Sequence, residues 1–137
     1  MSKSIKLKDN NYIDSTSIVH NRTKLNEIIS SVWYPLPLTS NWGAFDNNTF
    51  NAPSYCIRGN MVCLKGLLKR NSNMVGLETI ANLPAGFRPA KRVLLSSLCG
   101  ATDIQRIDVH NTGEIKTASV VQESNMLSLE NIFFYID

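Results

Sequence analysis

From Asn41 onward, short apolar runs alternate with turns that contain Gly, Asn or Pro, and this spacing restricts the possible folds. The runs are SYCIR, MVCLKGLLK, LETIA, RVLLSSL, IQRIDVH, EIKTASVV and SLENIFFYI. With the stretch from Trp42 to Phe50 they make roughly eight strands. Short strands at such regular spacing are typical of an antiparallel β-sandwich or jelly roll. The sequence therefore predicts an all-β domain over residues 41–137.

The two runs between Tyr55 and Arg70 predict a tight hairpin. Gly59-Asn60 separates them, and Gly at the first central position suits a type II′ turn. Counting outward from this turn, Cys56 faces Cys63 in a hydrogen-bonded pair, whose side chains splay apart. A disulfide needs Cβ atoms about 3.8 Å apart, so we expect both cysteines to be free thiols that pack as small apolar groups.

The sequence offers neither a grouping of metal ligands nor a cofactor motif. Cys99, His20 and His110 are not closely spaced with the hairpin cysteines, as a zinc site would require. A Gly-rich phosphate loop and a nucleophile elbow are both missing from the sequence. Asp103 and Asp108 could in principle form a glycosidase pair, but solvation at the surface is the simpler role. We expect no metal, no cofactor and no enzymatic activity.

Length and charge exclude several other classes. A chain of 137 residues is long enough for one compact domain, with 43% hydrophobic and 18% charged residues. The net charge is +3, and because the Lys and Arg residues are scattered we expect no nucleic-acid partner. The start, MSKSIKLKDNN, lacks the apolar core of a signal peptide or a membrane anchor. We therefore expect synthesis in a cytoplasm and no membrane insertion.

Residues 1–40 differ in pattern from the rest. SIKLKDNNYI alternates apolar and charged positions before a polar turn, which predicts a small hairpin or an extended arm. HNRTKLNEIISSV then changes to helical spacing, which predicts one short helix. Its apolar face consists of Leu25, Ile28, Ile29 and Val32. That face packs either on its own domain or on further copies of the chain.

The segment WYPLPL predicts the boundary between two parts of the chain. Pro35 and Pro37 remove backbone donors and favour an extended connection. We therefore divide the sequence into an amino-terminal arm with the helix, residues 1–40, and a β-sandwich head, residues 41–137.

The last strand predicts self-association. Ile132, Phe133 and Phe134 are followed by Tyr135 and Ile136, so the strand is apolar on both faces and both need cover. One face can lie against the opposite sheet. The other needs either a loop or a second copy of the chain. We expect a homo-oligomer that uses Ile132, Phe133 and Phe134 together with the helix face.

A polar row on one strand is the strongest candidate for a binding surface. Arg106, Asp108 and His110 alternate with apolar residues and therefore share one face, which would also suit an ordinary solvated sheet. Trp42 could stack on a sugar ring, although a Trp in the core fits the sequence equally well. Arg58, at the hairpin tip, is a further candidate for ligand binding.

Motifs along residues 42–137 resemble the carboxyl-terminal head domains of tail-fibre and baseplate receptor-binding proteins from phages of Gram-positive bacteria. That pattern has an opening Trp, a V-x-L-x-G strand, an LP-x-G-[FY]-RP loop and a later Gly turn. The matching residues are Trp42, Val62, Leu64, Gly66, Leu83, Pro84, Gly86, Phe87, Arg88, Pro89 and Gly113. The amino-terminal segment is also similar to segments of phage structural proteins.

The resemblance implies a homotrimeric β-sandwich head that binds host cell-wall polysaccharide. Its amino-terminal segment would attach to other virion proteins, which implies a location on the virion. Arg88 would bridge to a neighbouring carbonyl or carboxylate. The alternative is a decoration or head-fibre protein of the particle, with a head that binds another virion protein and no sugar.

Overall fold

The computed structural model describes residues 5–6, 12–13, 32–71, 77–119, 121 and 126–137. The chain divides into two compact units, residues 1–31 and 32–137. In the first unit, β1 (Ile5–Lys6) pairs antiparallel with β2 (Tyr12–Ile13), as in the first of the two predicted alternatives, a small hairpin or an extended arm. The predicted helix with Leu25, Ile28 and Ile29 lies outside the described residues.

The second unit consists of two antiparallel sheets. One sheet has seven strands in the order β4-β7-β12-β9-β10-β11-β8, and the other has four in the order β13-β6-β5-β3. The strands are β3 (Tyr34–Pro35), β4 (Trp42–Ala44), β5 (Ser54–Arg58), β6 (Met61–Lys65), β7 (Leu67–Arg70), β8 (Thr79–Asn82), β9 (Val93–Cys99), β10 (Asp103–Val109), β11 (Glu114–Thr117), β12 (Met126–Ser128) and β13 (Ile132–Tyr135). The all-β prediction is confirmed. Over the described ranges no helix is present that could cross a bilayer.

Both sheets contribute to a single hydrophobic core, as a sandwich requires. Alternation along each strand sends every second side chain inward, so Val62 and Leu64 of β6 are buried. The seven-stranded sheet contributes fully buried residues such as Ile107, Ile115 and Leu127. Each buried Leu, Ile or Val stabilises the fold by roughly 1.5–3 kcal/mol relative to exposure.

The hairpin of β5 and β6 forms in the predicted register. Cys56 pairs with Cys63, and Arg58 pairs with Met61 beside the turn. Gly59 has a φ of 61°, which the predicted type II′ turn requires at this position. Both cysteines are free thiols, as expected from the splayed geometry of the pair. Burial raises the pKa of the Cys63 thiol.

The LPAGFRP loop is fastened to the β10–β11 hairpin. Leu83 N–H donates to Gly113 O at 2.8 Å, and Arg88 Nε donates to Leu83 O at 2.8 Å. The predicted bridge from Arg88 to a carbonyl is thereby confirmed. Gly113 has a φ of 96°, and a Cβ there would lie 2.4 Å from Leu83 O. This position therefore requires glycine.

Residues 32–40 belong structurally with the head. Pro35 and Pro37 keep the segment extended, but it does not act as a free connector. β3 pairs with β5, and Leu36 is buried. Thr39 N–H then donates to Ile80 O at 2.9 Å, so the segment covers the outer edge of β8. The structural division after residue 31 differs from the predicted one after residue 40 because this pairing is long-range.

The closing strand β13 has one covered face and one open face. Ile132 and Phe134 are buried in the core of their own chain, so they are not available to a partner. Phe133 is 48% exposed and Tyr135 is 56% exposed on the opposite face. Val32 is exposed as well. Of the residues predicted to form an oligomer interface, the structure leaves Phe133 and Val32 accessible in the single chain.

Candidate functional site

The outer face of β10 forms one wall of a polar groove. Gln105, Ile107 and Val109 point into the core, which places the alternate residues Arg106 and Asp108 on the opposite face, as predicted. The groove has a volume of about 310 Å³. Its lining residues are Leu77, Arg92, Arg106, Asp108, His110, Lys116, Thr117 and Ala118.

Asp108 lies at the centre of this groove between two arginines. Its side chain is only 4% exposed, whereas those of Arg92 and Arg106 are each 50% exposed. Arg106 donates to it from Nε at 2.7 Å and from Nη2 at 2.8 Å. Arg92 donates from Nε at 3.0 Å and also from Nη2. One buried carboxylate therefore fixes two guanidinium groups whose other edges remain accessible.

The two arginines keep Asp108 ionised. Hydrogen bonds from Arg106 are the main cause that lowers the pKa of Asp108 to about 2; burial opposes the shift, and Arg92 adds to it. Three of the four N–H bonds reach Oδ2 and one reaches Oδ1, and because the side chain is only 4% exposed, the carboxylate offers a ligand hydroxyl little access. Asp108 therefore positions its arginine neighbours and does not itself suit ligand contact or proton transfer.

The neighbouring strand β11 supplies Lys116 to the groove, and Lys116 forms an ion pair with Glu114 on the same strand. Lys116 is opposite Asp108 in the register, and its Nζ lies 2.8 Å from Glu114 Oε2. The Lys116 hydrogen bond lowers the pKa of Glu114, and a weaker contribution comes from Thr79. His110, predicted to share this face, is half-buried and lines the groove. The predicted row of Arg106, Asp108 and His110 is thus brought together in one site.

Trp42 does not belong to this groove. Its side chain is 3% exposed in the core, with the Arg70 guanidinium 5.7 Å from the ring centroid. The ring therefore cannot act as a stacking platform for a sugar, and the core alternative that the sequence left open applies. The physical reason is that β4 pairs with β7 at the sheet edge, which turns the indole inward.

Arg58 lies in a second recess, on the other sheet. This recess, of about 260 Å³, lies beside Trp33 and Phe133. Lys65 Nζ is 4.2 Å from the Trp33 ring centroid, and Arg58 Cζ is 6.0 Å from it. Both distances suit cation–π contact. Arg58 therefore does not join Arg106 and Asp108 in one site.

Sequence reasoning missed Arg92, Lys116 and Trp33. Arg92 reaches Asp108 only because Val93 pairs with Val109, which places the residue before β9 beside the end of β10. A register prediction for the β9–β10 hairpin would have been the signal to find it. Lys116 could have been found from the β10–β11 hairpin, whose turn at Gly113 was identified.

The suggested carboxylate pair does not form. Asp103 and Asp108 are five positions apart on one strand, so their side chains point to opposite faces, about 17 Å apart along the chain. Within the residues that the structure describes, no three His, Cys, Asp or Glu side chains come close enough together to hold a metal ion.

Comparison with known proteins gives a match at the level of structure. The sequence matches no protein-family profile, and it matches no curated protein. The fold is similar to the crystal structure of the receptor binding protein of Listeria phage PSA, with a TM-score of 0.63 and 15% sequence identity. The match covers 89% of this chain and 74% of the phage protein. The structural likeness shows a shared fold, and at 15% identity it shows the fold alone.

Proposed function

We propose that this protein is a phage virion adhesin that binds a saccharide on the host cell surface. The observation that carries the proposal is the fold shared with a receptor binding protein of a Listeria phage. Because one fold can host many functions, the proposal also needs a suitable site. The Asp108 groove provides one: it is open, polar and lined by half-exposed arginines.

The proposal includes three copies of the chain, attached to the particle through the amino-terminal segment. The open face of β13, where Phe133 and Tyr135 are adjacent on one side of the strand, supports self-association because neighbouring exposed apolar side chains often mark a protein contact. A shallow saccharide site binds weakly by itself. Three joined sites raise the effective concentration of the second and third contacts, so weak sites together give firm adhesion.

Binding to isolated host cell walls tests the proposal. We expect the intact protein to co-sediment with walls of a susceptible host, and the double variant Arg92→Gln, Arg106→Gln to be at least about tenfold weaker, since each tenfold costs 1.4 kcal/mol. Lys69→Gln is the matched control, because Lys69 is an exposed cation outside the groove. Equal binding by all three proteins, or no binding by any of them, would contradict the proposal.

A decoration protein of the particle is the second candidate, and one observation favours it. Leu98 and Ile104 are cross-strand partners exposed on the outer face of β9 and β10, and Ile104 is 77% exposed. Such an apolar patch suits a protein partner better than a sugar. Immunogold labelling of particles separates the candidates: label on the capsid favours decoration, and label on the tail favours adhesion.

A further inference from the structure

We propose that the Asp108 groove binds an anionic group of the saccharide, either a carboxylate or a phosphodiester, through the free edges of Arg92 and Arg106. This inference rests on the proposed function and makes it more specific, because it defines the chemical class of the ligand. Three properties of the groove support it: its charge, its supply of donors and the rigidity of its arginines.

The groove carries a net positive charge. Arg92 and Arg106 contribute two positive charges against the single negative charge of Asp108. Lys116 and Glu114 form an ion pair and cancel each other. Among the described residues of the groove, the balance is +1 before any charge on His110 is counted. A negatively charged group would neutralise this balance, whereas a neutral sugar would leave it uncompensated.

The described side chains of the groove also offer many donors and few accessible acceptors. A guanidinium has five N–H groups, and each arginine directs two of these bonds to Asp108. The Asp108 carboxylate is 4% exposed and already accepts four N–H bonds, and Glu114 Oε2 already accepts from Lys116 and Thr79. Sugar hydroxyls need acceptors as well as donors. Carboxylate and phosphate oxygens need only donors, and they match the planar edge of a guanidinium in a two-point contact.

Asp108 makes this site rigid before a ligand arrives. Its carboxylate accepts hydrogen bonds from both guanidinium groups, so the conformational entropy of two long side chains is already lost in the free protein. Binding then costs less than it would for mobile arginines. Asp108 is therefore a positioning residue, and its replacement should weaken binding even though it makes the groove more positive.

Small soluble probes test the site in the full-length protein. Arginine Nε–H resonances are followed by nuclear magnetic resonance while glucuronate, glucose, glycerol phosphate or glycerol is added. We expect saturable shifts of the Arg92 and Arg106 signals with glucuronate or with glycerol phosphate, and none with glucose or glycerol. Which of the two anions binds more tightly identifies the carboxylate or the phosphate as the group recognised. Equal shifts with charged and neutral probes would overturn the inference.

Asp108→Asn distinguishes positioning from simple charge attraction. If Asp108 only reduced the positive charge, the variant would bind the anionic probe more tightly. The positioning role predicts at least about fivefold weaker binding. Arg106→Lys retains the charge but loses the two-point contact, and it should also bind more weakly. Circular dichroism spectra matching the parent protein establish that each variant is folded. Tighter binding by Asp108→Asn would overturn the inference.

Cell-wall polysaccharide in three forms separates this inference from the proposed function. The forms are untreated polymer, polymer with its carboxyl groups reduced, and polymer dephosphorylated with hydrofluoric acid. Binding only to polymer that retains the relevant charge supports the inference. Equal binding to all three forms overturns it and leaves the saccharide function intact. Failure to bind untreated polymer contradicts the proposed function instead.

Discussion

Burying a carboxylate costs free energy unless charged donors bind it. At Asp108, hydrogen bonds from Arg92 and Arg106 offset this cost. Its two arginines lower its pKa from the usual 3.8 to about 2, a difference that corresponds to roughly 2 kcal/mol of stability. Because both guanidinium groups are half exposed, solvent screening reduces the contribution. We expect Asp108→Asn to lower the free energy of unfolding by about 1–2 kcal/mol at pH 7, measured by urea denaturation.

The pH dependence of the stability that Asp108→Asn loses follows from the direction of the Asp108 pKa shift. The folded-state pKa is depressed, so the contribution is fully present above the unfolded value of 3.8 and disappears as the pH falls through about 2. The difference between parent and variant should therefore be constant from pH 7 to about pH 5 and shrink below pH 4. A difference that grows on acidification would contradict this assignment of the Asp108 charge.

A second residue-scale prediction concerns Thr117. Its side chain is opposite Ile107 in the register and therefore faces the core, where its hydroxyl is buried without a hydrogen-bond partner among the described residues. Thr117→Val removes that hydroxyl and keeps the shape, so we expect a gain of about 1 kcal/mol in urea denaturation. Ser97→Ala is the contrast, because Ser97 Oγ donates to Ser128 O and its removal should destabilise.

The residues of the candidate site could be predicted from sequence only where they lie on one strand, so that alternation along that strand was enough. Alternation placed Arg106, Asp108 and His110 on one face because period-two geometry needs no knowledge of neighbouring strands. Arg92 and Trp33 were missed because each is brought into its site by pairing between different strands. Trp42 remained ambiguous, since its burial depends on which face of β4 meets the core.

At the scale of elements, the LPAGFRP loop and the β10–β11 hairpin hold each other through Gly113. Gly113→Ala would drive a Cβ to 2.4 Å from Leu83 O and 2.6 Å from Arg88 Nε. We expect a loss of at least about 3 kcal/mol, from the clash together with about 1–2 kcal/mol for the positive φ. Urea denaturation measures this loss.

Gly86→Ala is the matched control for this change. Gly86 has a similar φ of 92°, but nothing lies within 4 Å of the added Cβ. It should therefore lose only the 1–2 kcal/mol that a positive φ costs. Equal losses for the two variants would show that the close approach at Gly113 contributes nothing.

Individual hairpins were predictable, but their order in the sheets was not. Turn residues identify neighbouring strands: the Gly59 turn was predicted from its residues, and the family resemblance indicated the turn at Gly113. The sheet order also depends on pairs distant in sequence, such as β12 with β7 and β13 with β6. Such pairs leave no local signal, because they are selected by the packing of the whole core.

At the scale of the whole molecule, the proposed trimer and its contact through the open face of β13 can be tested together. We expect light scattering to give three chain masses for the parent protein and one for Phe133→Asp. Phe133 is 48% exposed in the single chain, so the variant should fold normally. Ile104→Asp is the matched control: Ile104 is 77% exposed but lies on the other sheet, and its variant should keep the parent mass. A monomeric parent protein would contradict this prediction.

The segment from Tyr34 to Ala44 has a consequence for unfolding. It pairs with β5 in one sheet, bridges Leu38 to Ala81 at one end of the other sheet, and pairs with β7 at that sheet's opposite end. These three contacts connect the two sheets through one short piece of backbone. Residues 32–137 should therefore unfold in one cooperative step. A protease that cuts between the segment's three contacts would expose strand edges in both sheets at once, so the resistance of residues 32–137 to proteolysis depends on this short stretch.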